Sequence, residues 1–266
     1  MSQSANATLL EDLPEDDPWP PIPPDVDIAA IQVEMPELSV SINSMLYRIK
    51  EQPSIVYKFK GEFREYQLHR AARECAIPLR GRVLGKPKIG NGEIFFYGFL
   101  MDLATPIPTN LPPSQRSNIM HQMIHAVERL HSKRIVHGDM KLENMLLDNQ
   151  GKLRLCDFAE GRYVDEDEHI WDGNSTLHFE SPNRLLRAQQ FGRDPPPPII
   201  EDDLYGLGLS IWQLYTGKTP HEDLAGDDLD LKEKQQNGET VNVAEVHDEE
   251  ARGIITTLLR KGGACI

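Results

Sequence analysis

The rhythm of apolar and polar positions changes near the middle of the chain. From Leu38 to Phe59 apolar residues come in short runs, Leu38 to Ile42, Met45 to Ile49 and Ser54 to Phe59, separated by Asn43-Ser44 and Gln52-Pro53. Runs of that length between turn formers predict strands. A helix is predicted from Glu62 to Cys75, with Phe63, Tyr66, Leu68, Ala71 and Ala72 as its apolar contacts, and strands follow at Gly81 to Leu84 and Glu93 to Leu103. Beyond the proline-rich stretch from Thr105 to Pro113 the period lengthens. Ile119, Met120, Met123, Ile124, Val127 and Leu130 recur at helical spacing behind Ser114, the predicted cap. A second helix, buried, is predicted from Asp203 to Tyr215, and a further one from Asp248 to Arg260. The pattern describes an α+β chain: a small antiparallel β region with one helix, then a mainly α-helical region.

Ahead of the first strand the pattern fades. Residues 1–37 are set apart as a tail, polar at first and then acidic and proline-rich from Glu11 to Pro24. Too few apolar groups are present there to offset the entropy of ordering, which predicts a disordered or polyproline linker, with a docking peptide as the alternative. The net charge of −14 argues against a nucleic-acid partner. No apolar run reaches the 18 residues of a membrane span, and Glu11 and Asp12 stand where a secretory signal would need a basic start. The three cysteines, Cys75, Cys156 and Cys265, are odd in number and scattered, which fits reduced thiols in the cytoplasm or nucleus. Cys265 lies too near the end for a lipidation box.

Candidate chemistry is concentrated in Ile135-Val136-His137-Gly138-Asp139-Met140-Lys141-Leu142-Glu143-Asn144 and, after a turn at Asn149-Gln150-Gly151, in Leu155-Cys156-Asp157-Phe158. One carboxylate can accept a hydroxyl proton, one cation can neutralise a moving phosphoryl group, and an Asn–Asp pair can hold Mg²⁺. With those residues in view, the chain resembles the eukaryotic protein kinases of the Ser/Thr type, whose catalytic loop reads H-R-D-L-x-x-x-N and whose metal loop reads D-F-G. Gly138 stands in place of the arginine and Ala159 in place of the last glycine.

The resemblance implies a two-lobed fold, with an N-lobe over 38–103 and a shortened C-lobe over 104–266. It implies Asp139 as general base, Lys141 on the γ-phosphate, and Asn144 and Asp157 on Mg²⁺, with His137 structural beneath the metal loop. Lys58, in Val56-Tyr57-Lys58, would grip the ATP phosphates and pair with a helix glutamate: Glu65 by spacing, with Glu62 and Glu74 as alternatives. Met101, Asp102 and Leu103 would mark the hinge strand where adenine stacks. Ser175 to Arg184 resembles the close of the activation segment, with Asn183 replacing a glutamate that pairs with an arginine near the C-terminal helices. Asp203 would brace the catalytic loop from the buried helix. ATP, Mg²⁺ and a protein substrate are the implied ligands, with no membrane partner and a monomer compatible with the chain.

Three departures carry their own expectations. Ser41-Ile42-Asn43-Ser44 contains no glycine where the family has a glycine-rich loop, which predicts weakened nucleotide binding. Gly138 removes the arginine that collects an activation-loop phosphate in many kinases, so loop phosphorylation is not expected to be the switch. The acidic run Asp165-Glu166-Asp167-Glu168 reads as a solvated loop. The primary reading is an ATP- and Mg²⁺-dependent protein Ser/Thr kinase. A pseudokinase binding module is the second, favoured by the missing glycines. A small-molecule phosphotransferase of the aminoglycoside type is the third, disfavoured by Lys141 and by Thr176 to Asn183.

Overall fold

The computed structural model describes residues 24–40, 44–86, 93–108, 110–166, 176–191, 196–224 and 226–266. The chain divides into two compact units, Met1–Ala104 and Thr105–Ile266. Both the β-rich first part and the helical second part are as the hydrophobic pattern indicates.

Among the described residues the first unit holds a six-stranded sheet and one α-helix. Its strands are β1 (Val26–Asp27), β2 (Ser39–Val40), β3 (Met45–Ile49), β4 (Gln52–Phe59), β5 (Leu79–Gly85) and β6 (Phe95–Asp102), in the order β1-β5-β6-β4-β3-β2. All neighbours are antiparallel except β1, which runs parallel to β5. Helix α1 (Phe63–Ala71) follows β4 and is shorter at its C-terminal end than the pattern suggested. Past Ala71 the backbone turns, and Cys75 is buried with its thiol donating to the Ala72 carbonyl.

Period-two alternation decides what each face of this sheet carries. Phe96 and Phe99 meet Phe63 and Tyr66 of α1 in an aromatic cluster with ring centroids 5.3–5.9 Å apart. Two residues three apart share a face only if the alternation slips, and it slips at a bulge: Val83 pairs with Gly98 and Leu84 with Phe96, leaving Tyr97 extra. Gly98 takes φ +127°, and a Cβ there would stand 1.9 Å from the Lys58 carbonyl oxygen, so only glycine fits. The other face buries Ile49, Tyr57, Val83 and Leu100.

Residues 24–37, expected as tail, carry ordered structure. Val26, Ile28, Ile31 and Val33 pack on that second face, β1 joins the sheet edge, and Asp25 forms a bidentate ion pair with Arg82 at 2.7 and 2.8 Å. Four apolar side chains suffice to anchor a stretch whose prolines and acids dominate its composition. Residues 1–23 and residues 41–43, part of the glycine-free stretch, lie outside the described residues.

The second unit is built on helices α2 (Pro113–Ser132), α3 (Pro182–Phe191), α4 (Ile200–Thr216), α5 (Asp228–Gln236) and α6 (Glu249–Lys261), with short strands β7 (Thr105–Pro106), β8 (Ile135–Val136), β9 (Met145–Leu147), β10 (Leu153–Leu155) and β11 (Arg162–Tyr163). Helix α2 starts at Pro113, not behind a Ser114 cap. Proline suits a first helical position because the N–H it lacks would have no partner there. The α2 stripe, Met120, Met123, Val127 and Leu130, is fully buried. So is most of α4, whose Tyr205, Leu207, Leu209 and Ile211 pack in the core alongside Ile255 and Leu259 of α6. Helix α6 begins after Asp248, whose carboxylate accepts the Ala251 N–H. Among the described residues no helix is long and apolar enough to cross a membrane.

Candidate active site

In the second unit, α2 delivers the chain into β8, and β8 leads directly to the loop carrying Asp139. The loop is held from below by Asp203, in the first turn of α4. Its carboxylate accepts the N–H groups of His137 at 2.8 Å and Gly138 at 2.9 Å, and the His131 ring nitrogen lies 2.9 Å away. Burial pushes this carboxyl up, but the hydrogen bond and charge of His131, then His137, outweigh it and hold the group ionised below the usual range. His137 is buried, its Nε2 2.9 Å from the Cys156 carbonyl oxygen and its ring 4.9 Å from that of Phe158. It is a packing residue beneath the loop that carries Asp157.

Around Asp139 three side chains converge. The Lys141 ammonium donates to Asp139 Oδ2 at 2.5 Å and to Thr176 Oγ1 at 2.9 Å, and the Thr176 hydroxyl donates to Asp139 Oδ1 at 2.7 Å. Asn144 Nδ2 reaches the Asp139 carbonyl at 2.8 Å and Oδ2 at 3.1 Å. The amide hydrogens of Asn144 are thereby directed at Asp139, which leaves its Oδ1 to accept or to ligate. A carboxylate that already receives a hydroxyl proton donor and an ammonium is chemically equipped to steady a reacting alcohol.

Asp157 is brought near Asn144 by strand pairing rather than by sequence proximity. β9 and β10 pair with Met145 opposite Leu155, and the Cys156 N–H donates to the Asn144 carbonyl at 3.0 Å. The intervening turn is fixed by Asp148, which accepts the N–H groups of Gln150 and Lys152. Asp157 follows with φ +62°, a left-handed backbone that few residues other than glycine adopt and that aspartate tolerates. No reading of the letters marked that conformation, although an Asp between a strand end and a buried Phe158 was the signal available. Ala159 has no positive φ, so its Cβ causes no strain. Two hard oxygen donors, an amide and a carboxylate, suit Mg²⁺, which takes few protein ligands beside phosphate oxygens and water. Among the described residues no cluster of three or more His, Cys, Asp or Glu could hold a metal by itself.

In the first unit, alternation along β4 turns Tyr57 to one face and Lys58 to the face covered by α1. Lys58 Nζ lies 2.5 Å from Glu65 Oε1, both side chains buried. Of the three glutamates weighed, the structure pairs Lys58 with Glu65; Glu62 is the residue before α1 and Glu74 lies past its end. Met101 is buried, and Asp102 forms a bidentate pair with Arg80. The N–H groups of Asp102 and Leu103 donate to the carbonyls of Pro78 at 3.0 Å and Ser54 at 2.7 Å. The N–H groups of both residues are therefore engaged within the first unit.

Asn183 reaches the end of α6: its N–H donates to the Gly262 carbonyl at 2.9 Å, and its amide to the Lys261 carbonyl at 3.4 Å. A neutral amide thus makes the tie to the C-terminal helix that an ion pair makes elsewhere. Sequence reasoning missed this, and it also missed Arg184, whose guanidinium donates to the Gly138 carbonyl at 3.2 Å.

Comparison with known proteins agrees with this geometry. The protein kinase domain family is matched over residues 93–263, more than half of the chain, and the chain belongs to that family. It is 29% identical over 140 residues to the serine/threonine-protein kinase PrkC of Bacillus subtilis, covering 51% of this chain and 20% of that protein. It is 26% identical over 176 residues to the rhodopsin kinase GRK1 of Rattus norvegicus, covering 65% of this chain and 29% of that protein. The chain thus spans between a fifth and three tenths of the length of these relatives. Its fold is similar to that of the Cydia pomonella granulovirus kinase PK-1, with a TM-score of 0.62 at 19% identity, covering 87% of this chain and 88% of that one.

Proposed function

We propose that this chain is a protein serine/threonine kinase that transfers the γ-phosphoryl group of ATP to a protein hydroxyl with Mg²⁺ as cofactor. The observation that carries the proposal is the Thr176 hydroxyl donating to Asp139 Oδ1 while Lys141 donates to Oδ2. An acceptor serine or threonine would present its hydroxyl to the same carboxylate. Asp139 orients that oxygen in line with the phosphorus and takes its proton as the new O–P bond forms and the bond to the leaving ADP oxygen breaks. Lys141 offsets charge gathering on the transferred group. Asn144 Oδ1 and Asp157 would hold Mg²⁺, whose charge would neutralise the phosphate oxygens. Lys58, paired with Glu65, would meet the nucleotide phosphates, and Met101 to Leu103 would mark the strand where adenine stacks. A cytoplasmic location and a protein substrate belong to the same reading.

The glycine-free sequence Ser41 to Ser44 supports a second reading, a pseudokinase that binds a partner without transfer. Melting with and without Mg-ATP separates the two. Nucleotide at about 100 times its dissociation constant stabilises by about 2.7 kcal/mol, which at about 2–4 °C per kcal/mol is a rise of roughly 5–10 °C. A rise accompanied by phosphate transfer to serine or threonine supports the kinase. No rise supports the binding module.

A further inference from the structure

The loop that carries Asp139 lacks an arginine beside the aspartate, and the structure excludes one. Gly138 has φ +82°, and a Cβ there would stand 2.1 Å from the Glu160 carbonyl oxygen and 3.0 Å from Pro198. Any side chain at 138 would push the loop off the segment that follows the metal loop. The peptide between Gly138 and Asp139 is nevertheless gripped. From one side its N–H, that of Asp139, faces His137 Nδ1 at 3.4 Å, and Asp203 holds the preceding peptide through the Gly138 N–H. From the other, Arg184 of α3, a residue only 2% exposed, reaches across: Nη1 donates to the Gly138 carbonyl at 3.2 Å and Nε to the Pro196 carbonyl at 3.1 Å. Its own backbone N–H is fixed by Ser181 Oγ, which in turn donates to Asp202 Oδ1 at 2.5 Å.

Resting on the kinase reading above, we infer that Arg184 is a positioning residue: it fixes the peptide plane that immediately precedes Asp139, and so sets the direction of the catalytic carboxylate without a phosphate. Two features argue for this over plain packing. A guanidinium is among the costliest groups to bury, and its planar fork here spans two carbonyls from separate segments in a fixed geometry that a flexible ammonium does not impose. The carbonyl it grips belongs to the residue next to Asp139, where a small rotation of the plane swings the carboxylate away from its acceptor. Arg187, one helical turn on, is the natural control. It binds Asp202 and the Pro197 carbonyl in the same layer but does not touch the catalytic loop.

The test compares the full-length chain with Arg184→Gln, Arg184→Lys and Arg187→Gln, using Mg-ATP and a generic protein acceptor after phosphatase treatment. The expected result is a fall in kcat of about 100-fold for Arg184→Gln, as misplacement of about 1 Å can cause. The ATP KM should stay within about twofold, and Arg184→Lys should fall between Arg184→Gln and wild type. Arg187→Gln should lower the melting temperature at least as much while its folded fraction keeps wild-type kcat. Amide exchange across His137 to Asp139 should quicken in Arg184→Gln and not in Arg187→Gln. Wild-type kcat in either Arg184 variant, or losses that merely track melting temperature in all three, would overturn the inference. Should the wild type transfer nothing, the kinase reading falls; the exchange pattern still decides whether Arg184 holds this peptide, and unchanged protection in Arg184→Gln refutes that too.

Discussion

Lys58–Glu65 in the first unit and Lys141–Asp139 in the second are both lysine–carboxylate pairs, and the two are built in opposite ways. Lys58 and Glu65 are sealed, with side chains 5% and 2% exposed, whereas Lys141 and Asp139 are 22% and 10% exposed. A sealed ion pair is an inefficient source of stability, since apolar residues of similar volume often do as well. Its presence between β4 and α1 therefore argues for a task that needs a charge at that place. The second pair keeps one side open to solvent, where a hydroxyl from outside can approach. The contrast separates a charge enclosed within its unit from a charge that stays open to solvent.

The comparison is broken most severely by Lys58→Met, which leaves Glu65 buried without its ammonium. A loss of about 3–5 kcal/mol is expected in urea unfolding, with much of it recovered by adding Glu65→Leu. If the double variant is no more stable than the single one, the pair is not the sealed charge described here.

Restoring the arginine that the family pattern leads one to expect is the next largest. Gly138→Arg meets both a left-handed backbone and the Glu160 carbonyl, and should cost about 2–3 kcal/mol rather than improve activity. Melting and phosphotransfer measured together decide this.

Acid sharpens the contrast from outside both pairs. The His221 imidazole is held down to about 4, by burial first and by the charge of His178 second. The unfolded chain takes up that proton near 6.5, so the contribution is complete above pH 6.5 and fades as pH falls toward 4. His221→Asn should reduce the loss of stability between pH 7 and pH 4.5 by about 2 kcal/mol; equal acid sensitivity in both proteins would contradict it. The smallest effect belongs to the open pair. Lys141→Met should change stability by less than about 1 kcal/mol while abolishing most transfer. A large stability loss would show that the pair is structural.

Much of this was legible in the letters. Strand and helix periods located β3 to β6, α2 and α4, because each buries one face or nearly all of its surface. Asp139, Lys141 and Asn144 share one short loop and Asp157 follows one hairpin later, so the family pattern could mark them as candidates. What stayed hidden depends on distant chain. Val26 to Val33 is invisible as structure until the sheet face it covers exists. The choice of Glu65 over Glu62 and Glu74 needed the helix start, and the shift from a Ser114 cap to Pro113 needed the proline's own geometry. Arg184 is an ordinary helix residue in sequence, and only tertiary packing brings it to the Gly138 carbonyl. The helix break after Ala71 has the same character: propensity favours continuing, and burial of Cys75 and Ile77 ends it.

The most direct measurement of the central claim is transfer of radiolabelled γ-phosphate from Mg-ATP to a protein acceptor, followed by phosphoamino-acid analysis, for wild type and Asp139→Asn. Label on serine or threonine with the wild type, reduced about 100- to 10,000-fold in Asp139→Asn at unchanged melting temperature, is the result predicted. Transfer undiminished by Asp139→Asn, or none by a wild type that is folded and stabilised by Mg-ATP, would contradict it.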